Sequence, residues 1–169
     1  NVDDSFFAVT KEDSPGRIYA GVTTACSSAT YCLQAVSAIL LQAIKSKEIE
    51  QFENMDIDPY STLVAYFNNL RTLRGATILL QEDTKASIAG YASRREEDEI
   101  KYDNPEELTG SIEQSELEDI LVRLEKDKED NDHIAVLLAS VMISVGLDIA
   151  RLGLMVVDSQ PKTIAEYIQ

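Results

Sequence analysis

The side chains of this chain that could do chemistry are few, and their spacing excludes more than it offers. His133 is the only histidine, which argues against a His-based metal site and against a Ser-His-Asp triad. Its place between a charged run and an apolar one predicts a surface role. Cys26 and Cys32 fit no usual zinc spacing and read as reduced, small core residues. Asp56-Ile57-Asp58 brings two carboxylates together but lacks the Gly and terminal Glu of a calcium loop. The sequence holds no G-x-x-x-x-G-K-[ST], no G-x-G-x-x-G and no G-x-S-x-G, so no self-contained phosphate cradle or nucleophile elbow is present. No self-contained active site is visible among these residues. By spacing alone Gly146 is a turn residue and Asp148 a loop or helix-end carboxylate.

The elements that must hold these residues alternate between two apolar patterns. Ile18-Tyr19-Ala20-Gly21-Val22-Thr23 is a short β-prone run. Leu33, Val36, Leu40, Ala43 and Ile44 then recur at helical spacing after the start signal Ser27-Ser28, to about Lys47. A polar connection runs from Glu48 to Tyr60. Thr62-Leu63-Val64-Ala65-Tyr66-Phe67 is apolar on both faces and reads as a buried strand. Leu70, Leu73, Ala76, Thr77 and Leu80 predict a helix that continues toward Ile88. Glu107 to Gly110 is a short strand, and Ser115 to Lys126 a helix capped by Ser111 or Ser115. Ile134 to Leu138 and Leu152 to Val157 are two more buried strands, and Pro161 opens a helical pattern over Thr163 to Gln169. Strands buried on both faces and separated by helices pair in parallel. The fold expected is therefore α/β: an open, doubly wound, mainly parallel sheet of about five strands with helices on both faces. In such a sheet the working edge lies beyond the carboxyl ends of the strands. Those ends are Asn68-Asn69, Gly110-Ser111, Ser140 and Asp158-Ser159.

Composition bounds the partners. The chain has 169 residues, 44% apolar and 27% charged, with a formal charge of −15. That suits a single globular domain and opposes bulk electrostatic binding of a polyanion. The charge is uneven: residues 94–132 carry 16 acids and 6 bases, whereas residues 133–169 carry 3 and 2. The strand ends thus lie mostly outside the acidic stretch, whose runs read as solvated loops and helix ends. The first residue is Asn1 and no signal peptide opens the chain, which predicts a cytoplasmic piece of something longer. The longest mainly apolar run, Ala135 to Leu147, has 13 residues, too few to span a bilayer.

One stretch carries a family resemblance. Leu138-Ala139-Ser140-Val141-Met142-Ile143-Ser144-Val145-Gly146-Leu147-Asp148-Ile149 resembles motif V of superfamily two DNA/RNA helicases, usually A-T-x-x-x-x-x-G-[IVL]-D-[IV]. Leu154 to Gln169, with Gln160-Pro161-Lys162-Thr163 and Glu166-Tyr167-Ile168-Gln169, is similar to the segment leading into motif VI. Leu63 to Asn68 resembles motif IV, and Leu108-Thr109-Gly110-Ser111-Ile112-Glu113-Gln114 the L-H-G-x-x-x-Q turn between the two. The phrasing is especially similar to large helicases of bacterial defence systems such as DISARM. The resemblance implies a second RecA-like domain over residues 61–169, truncated before motif VI, with residues 1–60 as a flanking strand and helix packed on it. It implies that Asp148 and Gly146 belong to the nucleotide cleft, Asp148 accepting from a ribose. It implies that Asn68, Gly110, Ser111 and Ser140 touch a DNA or RNA backbone, with Arg71, Arg74 and Lys162 as auxiliary bases. Ser140 replaces the common Thr and keeps its hydroxyl, while Val141 and Leu117 depart from the pattern.

The expectations follow from what the chain contains. Motifs I and II and the arginines of motif VI are absent from it, so phosphate clamp and transition-state cation are missing. ATP and Mg²⁺ are expected in the intact parent and no cofactor in the isolated chain, which should be catalytically inactive and bind nucleic acid weakly. The partner expected is the first RecA-like domain of the same parent, closing around ATP. No membrane partner is expected. A second reading, from another class, is a non-catalytic acidic α/β interaction module built on residues 94–132. A third, a flavodoxin-like small-ligand binder, is weakened by the lack of a phosphate loop after the first strand.

Overall fold

A computed structural model describes residues 18–23, 28–51, 56–140, 149 and 151–158. The first helix, α1 (Ala29–Ala43), begins where Ser28 accepts a hydrogen bond from the Tyr31 amide at 3.2 Å, satisfying one of the orphan donors of a helix start. A one-turn helix, α2 (Lys47–Glu50), is capped in the same way by Ser46. The predicted polar connection therefore contains this turn and a 3₁₀ turn at Asp58–Tyr60, whose second residue is Pro59. Pro fits there because its fixed φ suits the first turn and its missing N–H is not needed.

The sheet is parallel throughout. Strands β1 (Leu63–Phe67), β2 (Glu106–Leu108), β3 (Val136–Ala139) and β4 (Leu154–Asp158) stand in the order β2-β3-β1-β4. β1 and β3 occupy the centre and are buried along their whole length, as their two-faced apolar sequences require. Between β1 and β2 run α3 (Leu70–Gln81) and α4 (Asp83–Arg95), and between β2 and β3 runs α5 (Gln114–Leu124). Leu63, Ala65, Phe67, Val136 and Leu138 pack on one side with Leu73, Leu80 and Ile88 of α3 and α4 and Ala38 and Leu41 of α1. On the other side Val64, Leu137 and Ala139 meet Ile120 and Leu124 of α5. Helices thus cover both faces, and the doubly wound α/β arrangement expected of a RecA-like domain is present.

Several local expectations differ. Residues 18–23 form no strand; they run as an exposed, irregular segment beside β4, so four strands are described where about five were expected. The long helix predicted after β1 breaks at Glu82, with φ −120 and ψ −71, and resumes as α4 to Arg95. Neither Ser111 nor Ser115 caps α5; its cap position is Glu113 and makes no side-chain bond. Ser111 instead meets the Thr109 hydroxyl at 3.1 Å.

The acidic run after α4 is also not wholly solvated. Glu96 adopts the left-handed conformation at φ 54 and the Glu97 amide reaches back to the Ala92 carbonyl at 3.0 Å, a Schellman-type ending. The turn carries the Glu97 side chain inward until it is only 3% exposed. There it accepts from Arg95 at 3.1 Å and from the Lys47 amide at 3.4 Å.

Candidate functional site at the carboxyl edge of the sheet

Parallel pairing brings every carboxyl end to one side of the domain. Tyr66 is in register with Ala139 and Leu108 with Ala139, while Phe67 faces Asp158. The residues that follow are therefore neighbours: Thr109 to Ser111 beyond β2, Ser140 beyond β3, Asn68 and Asn69 beyond β1, and Asp158 at the end of β4. With strands about 4.8 Å apart, this row is roughly 14 Å wide.

Its polar groups are arranged by short local bonds. The Ser140 amide donates to the Leu108 carbonyl at 3.1 Å, which ties the end of β3 to the turn after β2 and leaves the Ser140 side chain half-buried. Asn69 is extended, with φ −156 and ψ 157, and its Oδ1 accepts from the Thr72 amide at 3.0 Å. This cap starts α3 immediately after β1, so the positive end of the α3 dipole faces the row. Arg71 and Arg74 lie exposed on the first turns of α3. The start of α5 is opposite in character, since Glu113 and Glu116 surround it. An anion on this edge is therefore favoured at the β1–α3 junction rather than beside α5. Gly110 and Ser111 are both exposed in the turn between β2 and α5.

Of the residues assigned from sequence, Asn68, Gly110, Ser111 and Ser140 come together on this one edge. Gly146 and Asp148 lie outside the described residues, as do Lys162 and the QPKT segment. Asp158 completes the row as a carboxylate raised above its ordinary range by burial.

Sequence reasoning gave no role to a second cluster, at the opposite edge. Arg151, just before β4, grips both oxygens of Asp58 at 2.9 Å. It also donates to Ser61 Oγ and to the Leu124 carbonyl, each at 3.0 Å. Asp58 further accepts from the Lys128 amide at 2.9 Å. The guanidinium and these bonds hold the Asp58 carboxyl below its ordinary 3.8. His133, expected at the surface, is half-buried here, its ring nitrogens 3.3 Å from the carbonyls of Lys126 and Ser61. Both nitrogens face main chain, which suits a strap between loops rather than a metal ligand. Nothing local signals the Arg151–Asp58 pair, because the partners are 93 residues apart. Among the described residues no helix is long and apolar enough to cross a membrane.

No family model matches the chain. It is 40% identical over 171 residues to the DISARM protein DrmA of Bacillus paralicheniformis, an alignment that takes in 99% of this chain and 15% of that protein. The chain is accordingly a homologue of one segment of a DISARM protein and spans only a small part of its relative's length.

Proposed function

We propose that this chain is the second RecA-like domain of an ATP-dependent superfamily two helicase or translocase that serves a DISARM-type bacterial defence system. The observation that carries the reading is the single row of strand ends. Asn68, the Thr109–Ser111 turn and Ser140, which match three separate helicase segments in sequence order, stand side by side on the carboxyl edge of a parallel sheet. The homology to a DISARM protein supports the defence setting. In this reading backbone amides, the α3 dipole and the small hydroxyls bind successive phosphates of one strand, with Arg71 and Arg74 adding charge. Gly146 and Asp148 contribute to the ATP cleft against a first RecA-like domain, and ATP with Mg²⁺ supplies the free energy for movement. Hydrolysis belongs to the intact protein, since a phosphate clamp and arginine finger must come from elsewhere.

The test uses the intact protein. ATP turnover that rises on addition of single-stranded or duplex DNA, or RNA, is the expected result, with Asp148→Ala lowering turnover and Ser140→Ala weakening its nucleic-acid stimulation. An intact protein without nucleic-acid-stimulated turnover, or a parent sequence with no P-loop, would overturn the reading.

A further inference from the structure

The helices on the two sides of the sheet differ in charge. α3 carries Arg71 and Arg74 and no acid. Both guanidinium groups are exposed, and among the described residues neither enters an ion pair. α5 packs on the opposite side of the sheet and is acidic: residues 113–132 carry 9 acids against 3 bases. The domain is therefore polarised across its sheet, with cations outward on α3 and carboxylates outward on α5.

Each of these faces also exposes an apolar side chain among its charges. Ile78 of α3 is 62% and Val122 of α5 60% exposed, the two most exposed large apolar residues on the described helices. Ile78 stands one helical repeat after Arg74 and two after Arg71, so the three share a face. Val122 shares its face with Glu118 and Glu125, and Asp119 borders it; all three carboxylates are exposed. Gly75 adds an independent feature to the α3 face. A Cβ there would meet nothing within 4 Å, so packing inside the domain does not call for glycine, which weakens a helix interior. The missing side chain lets a second helix approach closely beside Ile78.

We propose that the α3 face of one copy of this chain docks on the α5 face of a second copy, Ile78 against Val122, with Arg71 and Arg74 opposite Glu118, Asp119 and Glu125. The two surfaces differ, so the contact is head-to-tail and propagates into a ring or a filament. The net charge of −15 opposes association at long range. The Debye length is only about 8 Å at physiological salt, however, so the facing charges dominate, and these are of opposite sign. One helix on one helix buries less than the ~1,200 Å² of a standard interface, which makes the association reversible. A nucleic acid is the poorer occupant of the α3 face. Ile78 lies about two turns along α3 from the strand ends and offers a phosphate neither charge nor hydrogen bond. The proposal goes beyond the helicase reading and does not depend on it.

The experiment follows the intact protein by analytical ultracentrifugation over a micromolar concentration series, with Ile78→Glu and Val122→Lys as variants. The parent should self-associate, and each variant alone should associate about thirtyfold more weakly, the effect of losing a central anchor. Mixed in equal amounts, the two variants should form a discrete two-copy species. The Val122→Lys copy keeps its α3 face and the Ile78→Glu copy its α5 face, so one productive contact survives. Both positions are exposed, and the circular dichroism of each variant should match the parent's. Ile78→Gln and Val122→Gln are milder substitutions that should weaken association in the same direction. A parent that stays monomeric, association indifferent to every substitution, or a mixture that behaves as the two variants do alone would overturn the proposal. So would nucleic-acid binding lost by Ile78→Glu with self-association intact, which would assign the α3 face to a nucleic-acid strand.

Discussion

The two edges of this sheet use polar residues in opposite ways. At the amino edge Arg151 joins Asp58, Ser61 and Leu124, Thr62 donates to the Ile134 carbonyl at 2.8 Å, and His133 bridges two loops. These bonds span tens of residues of sequence and lock the lead-in of β1 to those of β3 and β4. At the carboxyl edge the bonds of Asn69 to Thr72 and of Ser140 to Leu108 are short-range or tie neighbouring strand ends. They shape the edge, where Gly110, Ser111 and the start of α3 are exposed. The contrast teaches that a buried, mutually satisfied cluster marks the edge that holds the domain together. In the proposed reading the carboxyl edge is the working one, where Gly110, Ser111 and Arg71 are exposed.

The comparison breaks most sharply at Arg151. Arg151→Ala leaves a half-buried Asp58 carboxylate with only the Lys128 amide and frees the Ser61 and Leu124 acceptors, and a loss of about 3 kcal/mol is expected in urea unfolding. At a temperature where the variant is folded, nucleic-acid affinity of the intact protein should be unchanged. An affinity loss as large as the stability loss would mean that the two edges are not separate. Gly153→Ala comes next, because its Cβ would lie 3.0 Å from both Pro59 Cβ and the Pro59 carbonyl oxygen, against which the Gly153 amide is bonded at 2.8 Å. Backbone must shift, and a cost of about 2 kcal/mol is expected from thermal unfolding.

The two aspartates sharpen the contrast through pH. Asp58 has a folded-state pKa below its ordinary 3.8, so the unfolded chain binds the extra proton. Its contribution is fully present above that ordinary value and is lost as pH falls through the folded one. Asp158 is raised by burial, so its ionisation costs stability at neutral pH and that cost disappears as pH falls through its folded pKa. Unfolding free energies measured from pH 7 to pH 3 should show Asp58→Asn less stable at pH 7 with a flatter acid limb. Asp158→Asn should be slightly more stable than the parent at pH 7 and converge on it in acid. The smallest stability effect is expected for Ser140→Ala, within about 0.5 kcal/mol of the parent, with the functional loss appearing only in nucleic-acid stimulation of the intact protein.

Much of the fold was legible in the sequence because burial leaves a local trace. β1 and β3 were read from runs apolar on both faces, α1 from a 3.6-residue stripe behind a capping Ser and α3 from its stripe alone. β4 was expected to be buried in the same way as β1 and β3 but alternates half-buried and exposed residues, because it lies at the margin of the described sheet. The candidate edge followed from the fold class, since Asn68, Gly110–Ser111 and Ser140 all sit just after predicted strands. Residues 18–23 misled because β-propensity reflects packing on a sheet, and no described strand pairs with them. Glu97 misled because a left-handed turn at Glu96, which no glycine announces, carries an acid inward from a run that looks solvated.

By itself, then, the sequence determined the alternation of strand and helix, the strand ends that carry small polar residues, and a charge concentrated away from all of them but Gly110–Ser111. These depend on neighbours a few positions apart, which pattern and propensity record. The tertiary structure decided the order of the described strands, how Arg151 found Asp58, and that His133 would strap two loops rather than face water. Each of those rests on groups brought together across tens of residues by sheet order and register. Only the closed core fixes that proximity.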